Sequence, residues 1–184
     1  GGIPIKVREL GIDLILTSSH KCFALPAGLA LGVISERALE KAKTVEGRGV
    51  YFDLVSFKES IDKEQTVTTP NEAAIDATNY QLQYIVNEEG IENRFERHSR
   101  LSAIVHNWIV SAPGNLEIFA SPDYASRTIT CVRHQPGLDK TAVKEILRGK
   151  GYLYDAGYRK LETMGHSTFR IPTMGDLTED ILKT

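Results

Sequence analysis

Several features that would place the protein in a special class are missing from its sequence. No apolar run approaches the length of a membrane span, and the formal net charge is only −2 among 184 residues. Neither a membrane nor a nucleic acid is therefore predicted as a partner. The two cysteines, Cys22 and Cys131, form neither a disulfide framework nor a metal-ligand pattern, which predicts a reducing compartment, the cytoplasm, and no metal. The chain starts without methionine or a signal peptide, so we expect that it begins after processing, after a cloning scar or within a longer protein.

One polar stretch lies between two short apolar runs near the start of the chain. The runs 12–16 and 29–35 predict buried strands, and the segment between them contains Ser19, His20 and Lys21 before a Pro-Ala-Gly turn. A lysine desolvated by strand ends can act as a nucleophile towards a carbonyl, and the neighbouring hydroxyls and imidazole could hold a phosphate. A solvated lysine without chemistry fits the local pattern as well.

Capping patterns predict the next helices. Ser35 is predicted to cap a helix over residues 37–45, and Thr69, followed by proline, begins a capping box that predicts a helix to about Asn87. If Thr69 is the cap, Thr68 keeps a free hydroxyl at a helix N-terminus, where anions are favoured. Two threonines before a proline are also explained as a cap and nothing more.

Residues 51–60 show no clear period and are predicted to be irregular, whereas residues 91–111 predict one long helix. Three arginines on that helix, Arg94, Arg97 and Arg100, are predicted to form a solvated stripe. The short strands and single main helix that follow predict a small α+β domain, an antiparallel sheet covered by helices.

Arg170 lies in the last predicted strand, residues 167–171. The two-residue period sends Phe169 and Ile171 to one face and Arg170 to the other. Its guanidinium could bind a carboxylate with two parallel hydrogen bonds, or could form a surface salt bridge.

Four stretches of the sequence, taken in order, resemble class V of the fold type I pyridoxal-phosphate aminotransferases. The closest branch is that of the alanine:glyoxylate and serine:pyruvate aminotransferases. The stretches are Gly1–Ile5 with Gly11–Asp13, Ser18–Lys21 with Pro26–Gly28, Thr68–Pro70 with Glu88–His98, and Phe169–Ile171 with Met174–Asp176. The resemblance implies an α/β fold. Residues 1–65 would form the C-terminal part of the large domain that binds pyridoxal phosphate, residues 66–88 an interdomain helix, and residues 89–184 the small domain.

The resemblance also implies roles for individual residues. Lys21 is expected to form the Schiff base with pyridoxal phosphate and to move the proton of the substrate Cα. Ser19 and His20 are expected near the cofactor, and Thr68 is expected to reach the phosphate of the neighbouring subunit in a homodimer. Arg170 is expected to hold the substrate carboxylate. The implied reaction moves an amino group between alanine or serine and glyoxylate or pyruvate.

The sequence departs from the family pattern in two ways. Pro172 and Thr173 replace the Gly-His that follows Phe-Arg-Ile in the family, which leaves the substrate open. In the family, the aspartate that pairs with the pyridine nitrogen, the phosphate-binding turn and the stacking aromatic residue all precede the equivalent of Gly1. The chain is therefore expected to be a C-terminal half, inactive alone, with the N-terminal half of the same protein as its partner.

Three alternatives remain open. A phosphoserine aminotransferase would need further cationic groups for the substrate phosphate. A cysteine desulfurase would explain His20, since a histidine before the lysine is usual in those enzymes, but it needs a mobile cysteine that neither Cys22 nor Cys131 resembles. A noncatalytic dimerisation or binding module would have no need of both Lys21 and Arg170.

Overall fold

The computed structural model describes residues 2–183. Gly1, in the first predicted domain, and Thr184, at the end of the last predicted helix, lie outside the described residues. The chain divides into two compact units, one spanning Ile3–Glu88 and the other beginning at Glu89. The assignment of these units to a large and a small domain stays a prediction.

The first unit contains a two-stranded antiparallel sheet and three α-helices. Its elements are β1 (Leu14–Ser18), β2 (Ala30–Ile34), α1 (Glu36–Lys43), α2 (Leu54–Ile61) and α3 (Glu72–Gln83), and a π-helical turn at Tyr84–Glu89 follows α3. Ser35 caps α1 as predicted, because its Oγ accepts a hydrogen bond from the backbone nitrogen of Ala38 at 3.0 Å. The same hydroxyl donates to Asp13 at 2.6 Å, which ties the residue before β1 to the start of α1.

The prediction that β1 and β2 are buried is wrong for this chain. Leu16 is 67% exposed and Val33 is 59% exposed. The reason is that no helix packs extensively on either face of this small sheet within the described part of the chain. The apolar runs therefore predicted the positions of the strands correctly but not the burial of their side chains.

Two further predictions for the first unit are wrong, and both concern helix caps. Most of residues 51–60, predicted to be irregular, belong to α2, which begins because Asp53 accepts a hydrogen bond from the backbone nitrogen of Val55 at 3.0 Å. Thr69 does not cap α3. Asn71 does, accepting from the backbone nitrogen of Ala74 at 3.2 Å, because asparagine is a better N-cap than threonine. Because Thr69 is not the cap, the capping pattern no longer favours Thr68 over Thr69 as the free hydroxyl.

The second unit is an α+β arrangement, as predicted. Its elements are α4 (Ile91–Ser111), β3 (Glu117–Ile118), β4 (Ile129–Arg133), α5 (Lys140–Gly149), α6 (Arg159–Thr163), β5 (Thr168–Pro172) and α7 (Glu179–Lys183). The strands form an antiparallel sheet in the order β3-β4-β5. Across residues 2–183, none of the helices combines the length and the apolarity needed to cross a membrane.

The core of the second unit lies between α4 and the sheet. Val105 and Ile109 of α4 pack with Val132 of β4 and Phe169 of β5, and Val132 and Phe169 are direct neighbours across the two strands. Phe169 is inward-facing, as the two-residue period predicted, and Ile171 packs against the same cluster. Burial of these side chains supplies most of the favourable free energy of folding in such a small unit.

The predicted solvated arginine stripe is wrong for two of its three members. Arg94 is fully buried and forms ion pairs with Glu89 and, at 3.0 Å, with Asp176. Arg97 also binds Glu89, at 2.8 Å, and donates hydrogen bonds to the carbonyls of Gly175 and Leu177. Glu89, Arg94, Arg97 and Asp176 are called here the Glu89 network.

Helical spacing explains why Arg94 is inside. His98, Leu101 and Val105 follow it at intervals of three or four residues, and all of them are buried. Arg94 therefore belongs to the buried face of α4. Ile91 and Trp108, which the sequence placed on the inner side, are about half exposed. Only Arg100 faces solvent as predicted.

We expect Arg94→Ala to lower the free energy of unfolding by about 3–5 kcal/mol, because it removes one partner of a buried ion pair and leaves Glu89 without it. Arg100→Ala is the matched control and is expected to change that free energy by at most about 0.5 kcal/mol. Urea unfolding of the two variants measures both values. Equal losses would contradict the structural role of the Glu89 network.

The Glu89 network also predicts a pH dependence of stability. Burial alone would raise the pKa of Glu89, but hydrogen bonds from Arg97 and Arg94 outweigh it, so the pKa lies below its ordinary value. A carboxyl with a lowered folded-state pKa stabilises the fold above its unfolded pKa, and that contribution is lost as pH falls through the folded pKa. The stability difference between the wild type and Glu89→Gln should thus be full above about pH 5 and shrink below about pH 4. A difference that stays constant in urea unfolding across this range would contradict the prediction.

Candidate functional site

Lys21 lies in a tight turn that follows β1. The backbone nitrogen of Ser19 donates to the carbonyl of Leu29 at 3.0 Å, and that of Ala24 donates to the carbonyl of Lys21 at 2.9 Å. Lys21 and His20 are exposed, whereas Cys22, the next residue of the same turn, is buried. Two successive residues of the turn therefore expose an amine and an imidazole, and no ion pair engages Lys21 within residues 2–183.

The expected desolvation of Lys21 by strand ends is wrong for this chain. Its side chain is exposed, because β1 and β2 pair only with each other in the region that the structure describes, and no second pair of strand ends encloses the turn. An exposed, unpaired amine is nevertheless accessible to a carbonyl compound.

Ser19 is a structural residue of this turn. It is 1% exposed, and its Oγ donates a hydrogen bond to the carbonyl of Pro26 at 2.7 Å. A serine hydroxyl has a single proton, so only its acceptor lone pairs remain for another group. The backbone nitrogen of Leu25 also donates to the carbonyl of Ser19 at 3.2 Å, which fixes both ends of the turn.

The Pro-Ala-Gly turn lies against the start of α3. Gly28 has φ of 138°, a backbone conformation that favours glycine, and a Cβ at this position would lie 3.1 Å from Asn71 Nδ2, so the Asn71 side chain would have to shift slightly to admit it. Thr68 is exposed and precedes this contact by three residues. The first unit therefore brings the segment after Lys21 and the segment after Thr68 together at Gly28 and Asn71.

Arg170 belongs to the second unit and lies on the face of β5 opposite Phe169, as predicted. Its Nη2 forms an ion pair with Asp155 Oδ2 at 2.7 Å, and both side chains are about one-third exposed. The Nε of Arg170 is buried and has no hydrogen-bond partner among the described residues. The salt bridge that the sequence left open is thus present, and it engages only the Nη2 end of the guanidinium.

Asp155 and the Glu89 network were both missed at the level of the sequence. A single aspartate in a loop between Gly151 and Gly157 carries no periodic signal. For the Glu89 network a signal existed, since Glu89, Arg94, Arg97 and Asp176 all lie in the stretches that carry the family resemblance. The contacts of Arg94 and Arg97 with the turn around Asp176 join residues about 80 positions apart, and sequence spacing does not predict such contacts.

The cysteines do not have the environment of reactive thiols. Cys131 lies on β4 directly opposite Arg170, and burial raises the pKa of its thiol. Cys22 is 7% exposed. A nucleophilic cysteine needs thiolate character and access, so these positions do not favour a desulfurase.

Comparison with known proteins gives a consistent result. Residues 1–168 match the sequence model of the family described as aminotransferase class-V. Over 177 residues the chain is 34% identical to an uncharacterized aminotransferase of Methanocaldococcus jannaschii, a match that covers 95% of this chain and 45% of that protein. Over 175 residues it is 30% identical to a phosphoserine aminotransferase of a Nocardioides species, covering 93% and 46% of the two proteins.

A solved structure has the same fold. The crystal structure of a pyridoxamine-pyruvate aminotransferase from Mesorhizobium loti matches with a TM-score of 0.83 and 28% identity, over 98% of this chain and 46% of that one. This match confirms the predicted fold class, that of the pyridoxal-phosphate aminotransferases. The chain spans about half the length of the relatives that it matches.

Proposed function

We propose, on the premise that the chain belongs to the class V aminotransferases, that it is the C-terminal half of an enzyme for small amino acids. The enzyme moves an amino group between alanine or serine and glyoxylate or pyruvate. The N-terminal half of the same protein supplies the rest of the cofactor site, and the complete protein is a cytoplasmic homodimer. The coverage of about 45% of two relatives supports a protein of about twice this length.

The observation that carries the proposal is the position of Lys21 in the turn after β1, within the Ser18–Lys21 stretch that carries the family resemblance, with its side chain exposed. Aminotransferases of this family use pyridoxal phosphate, whose aldehyde requires an accessible amine, and Lys21 meets that requirement. The cofactor supplies an electron sink for the bond that breaks at the substrate Cα. The chain's own part is to take the proton from the substrate Cα onto Lys21 Nζ, as a general base, and then to deliver it to the cofactor carbon that receives the amino group, as a general acid.

The other proposed site residues position the reactants. Ser19 fixes the turn through Pro26, and His20 lies beside Lys21 at the cofactor. Thr68, whose role rests on the family resemblance, offers a hydroxyl to the cofactor phosphate of the neighbouring subunit. Arg170 holds the substrate carboxylate, which orients the Cα–H bond for proton transfer.

A phosphoserine aminotransferase is the second candidate. One relative, 30% identical, has that activity in its name, and the two activities differ in the need for cationic groups that bind the substrate phosphate. Pro172 and Thr173, beside Arg170, depart from the pattern of the small-amino-acid branch. The choice between the candidates is therefore a matter for substrate screening.

In the complete protein, Lys21→Ala is expected to lower the rate of amino transfer from alanine to glyoxylate by about 10³-fold or more, because it removes both the cofactor amine and the general base. Lys41→Ala, which removes an exposed lysine of α1, is the control and should leave the rate unchanged. Product formation from alanine, serine and phosphoserine is measured in parallel. Retention of more than a tenth of the rate by Lys21→Ala would contradict the proposal, and a preference for phosphoserine would replace it by the second candidate.

A further inference from the structure

Asp155 is held beside Arg170 by its backbone as well as by its carboxylate. The backbone nitrogen of Arg170 donates to the carbonyl of Asp155 at 3.3 Å, in an isolated antiparallel bridge at β5. The other carboxylate oxygen, Oδ1, accepts a hydrogen bond from the backbone nitrogen of Gly157 at 2.9 Å. One oxygen of Asp155 thus binds its own loop, and the other binds the guanidinium.

The loop that carries Asp155 lies tightly against β5. Gly157 has φ of +94°, and a Cβ at this position would lie 2.3 Å from the carbonyl oxygen of Thr168. No side chain larger than hydrogen fits there, so the loop approaches the strand as closely as two backbones allow. Asp155 is therefore fixed next to Arg170 and does not depend on their ion pair for its position.

The ion pair with Asp155 engages Nη2 of Arg170, a nitrogen that a substrate carboxylate would also use. A guanidinium binds a carboxylate through two parallel donors, either Nη1 with Nη2 or Nε with Nη2. Nη2 belongs to both pairs, and Asp155 Oδ2 already engages it at 2.7 Å. The Nε is buried, which leaves the Nη1 and Nη2 edge for a ligand from solvent, and a carboxylate bound there shares Nη2 with the charge of Asp155.

We propose that Asp155 competes with the substrate carboxylate for Arg170 and so determines the affinity of the site for carboxylate substrates. The inference rests on the proposed role of Arg170. An incoming carboxylate shares Nη2 with a fixed anion, or must displace it, and in both cases the charge of Asp155 opposes binding. Because the amino acid and the oxo acid present the same carboxylate to Arg170, both substrates are affected alike.

Asp155→Asn separates this competition from a purely structural role. The amide oxygen of asparagine can still accept the hydrogen bond from Gly157, but the side chain carries no charge and its NH2 group cannot bind a guanidinium. In the complete enzyme with pyridoxal phosphate, we expect the KM values for alanine and glyoxylate to fall about fivefold, the effect of one partly screened charge at ion-pair distance. The kcat should stay within about twofold, since Asp155 does not touch the reacting atoms.

A binding measurement without turnover accompanies the kinetics. The dissociation constant of propionate, a carboxylate without an amino group, should fall by the same factor in Asp155→Asn. Glu117→Gln is the matched control, because it neutralises an exposed carboxylate that contacts Arg133 of the same sheet and not Arg170; it should change neither value. Asp155→Ser, which also keeps an acceptor for Gly157, replaces Asp155→Asn if that variant does not fold.

The Arg170→Ala background distinguishes this inference from the proposed function. Arg170→Ala alone should raise KM about 10- to 100-fold, because it removes charge-assisted hydrogen bonds, and Asp155→Asn should have no further effect in that background. If Arg170→Ala leaves KM unchanged, the carboxylate role of Arg170 fails and the competition fails with it. If Arg170→Ala raises KM while Asp155→Asn leaves KM unchanged or raises it, only the competition is overturned.

Discussion

The buried ion pairs of Arg94 are the interaction on which the second unit depends. Arg94 lies at the start of α4 with no exposure to solvent and binds Glu89, just before the helix, and Asp176, in the turn that follows β5. Arg97 adds hydrogen bonds to the carbonyls of Gly175 and Leu177. A guanidinium buried without these partners would cost several kcal/mol. The start of α4 and the turn after β5 are therefore held together by charge as well as by the apolar core.

This constraint reaches the candidate site through β5. The strand is paired with β4 along its length, joined to the Asp155 loop at Arg170, and followed within four residues by the turn that the Glu89 network holds. Arg170 therefore projects from a strand that is fixed on both sides. A binding residue on such a rigid strand keeps its orientation at low entropic cost. Recognition of a carboxylate by a planar guanidinium requires a fixed orientation of this kind.

The candidate site could be predicted from the sequence only where the signal is local. The cap at Ser35 and the inward direction of Phe169 depend on neighbouring residues and on a strand period of two, and both predictions are confirmed. The Thr69-Pro70 pattern predicts a cap at Thr69, whereas the better capping side chain, Asn71, comes two residues later. Arg94 was assigned to solvent by residue type, since its partners Glu89 and Asp176 meet it only in the folded unit. Asp155 could not be found, because nothing in a loop sequence tells which strand the loop will touch.

The central claim is that Lys21 is the residue that bears the cofactor. Its turn offers an exposed amine, and the family of the chain uses pyridoxal phosphate. The most direct measurement is to load the complete protein with pyridoxal phosphate, reduce it with borohydride and locate the modified peptide by mass spectrometry. We expect one cofactor per chain, attached to the peptide that contains Lys21. Attachment to another lysine, or to none, would contradict it.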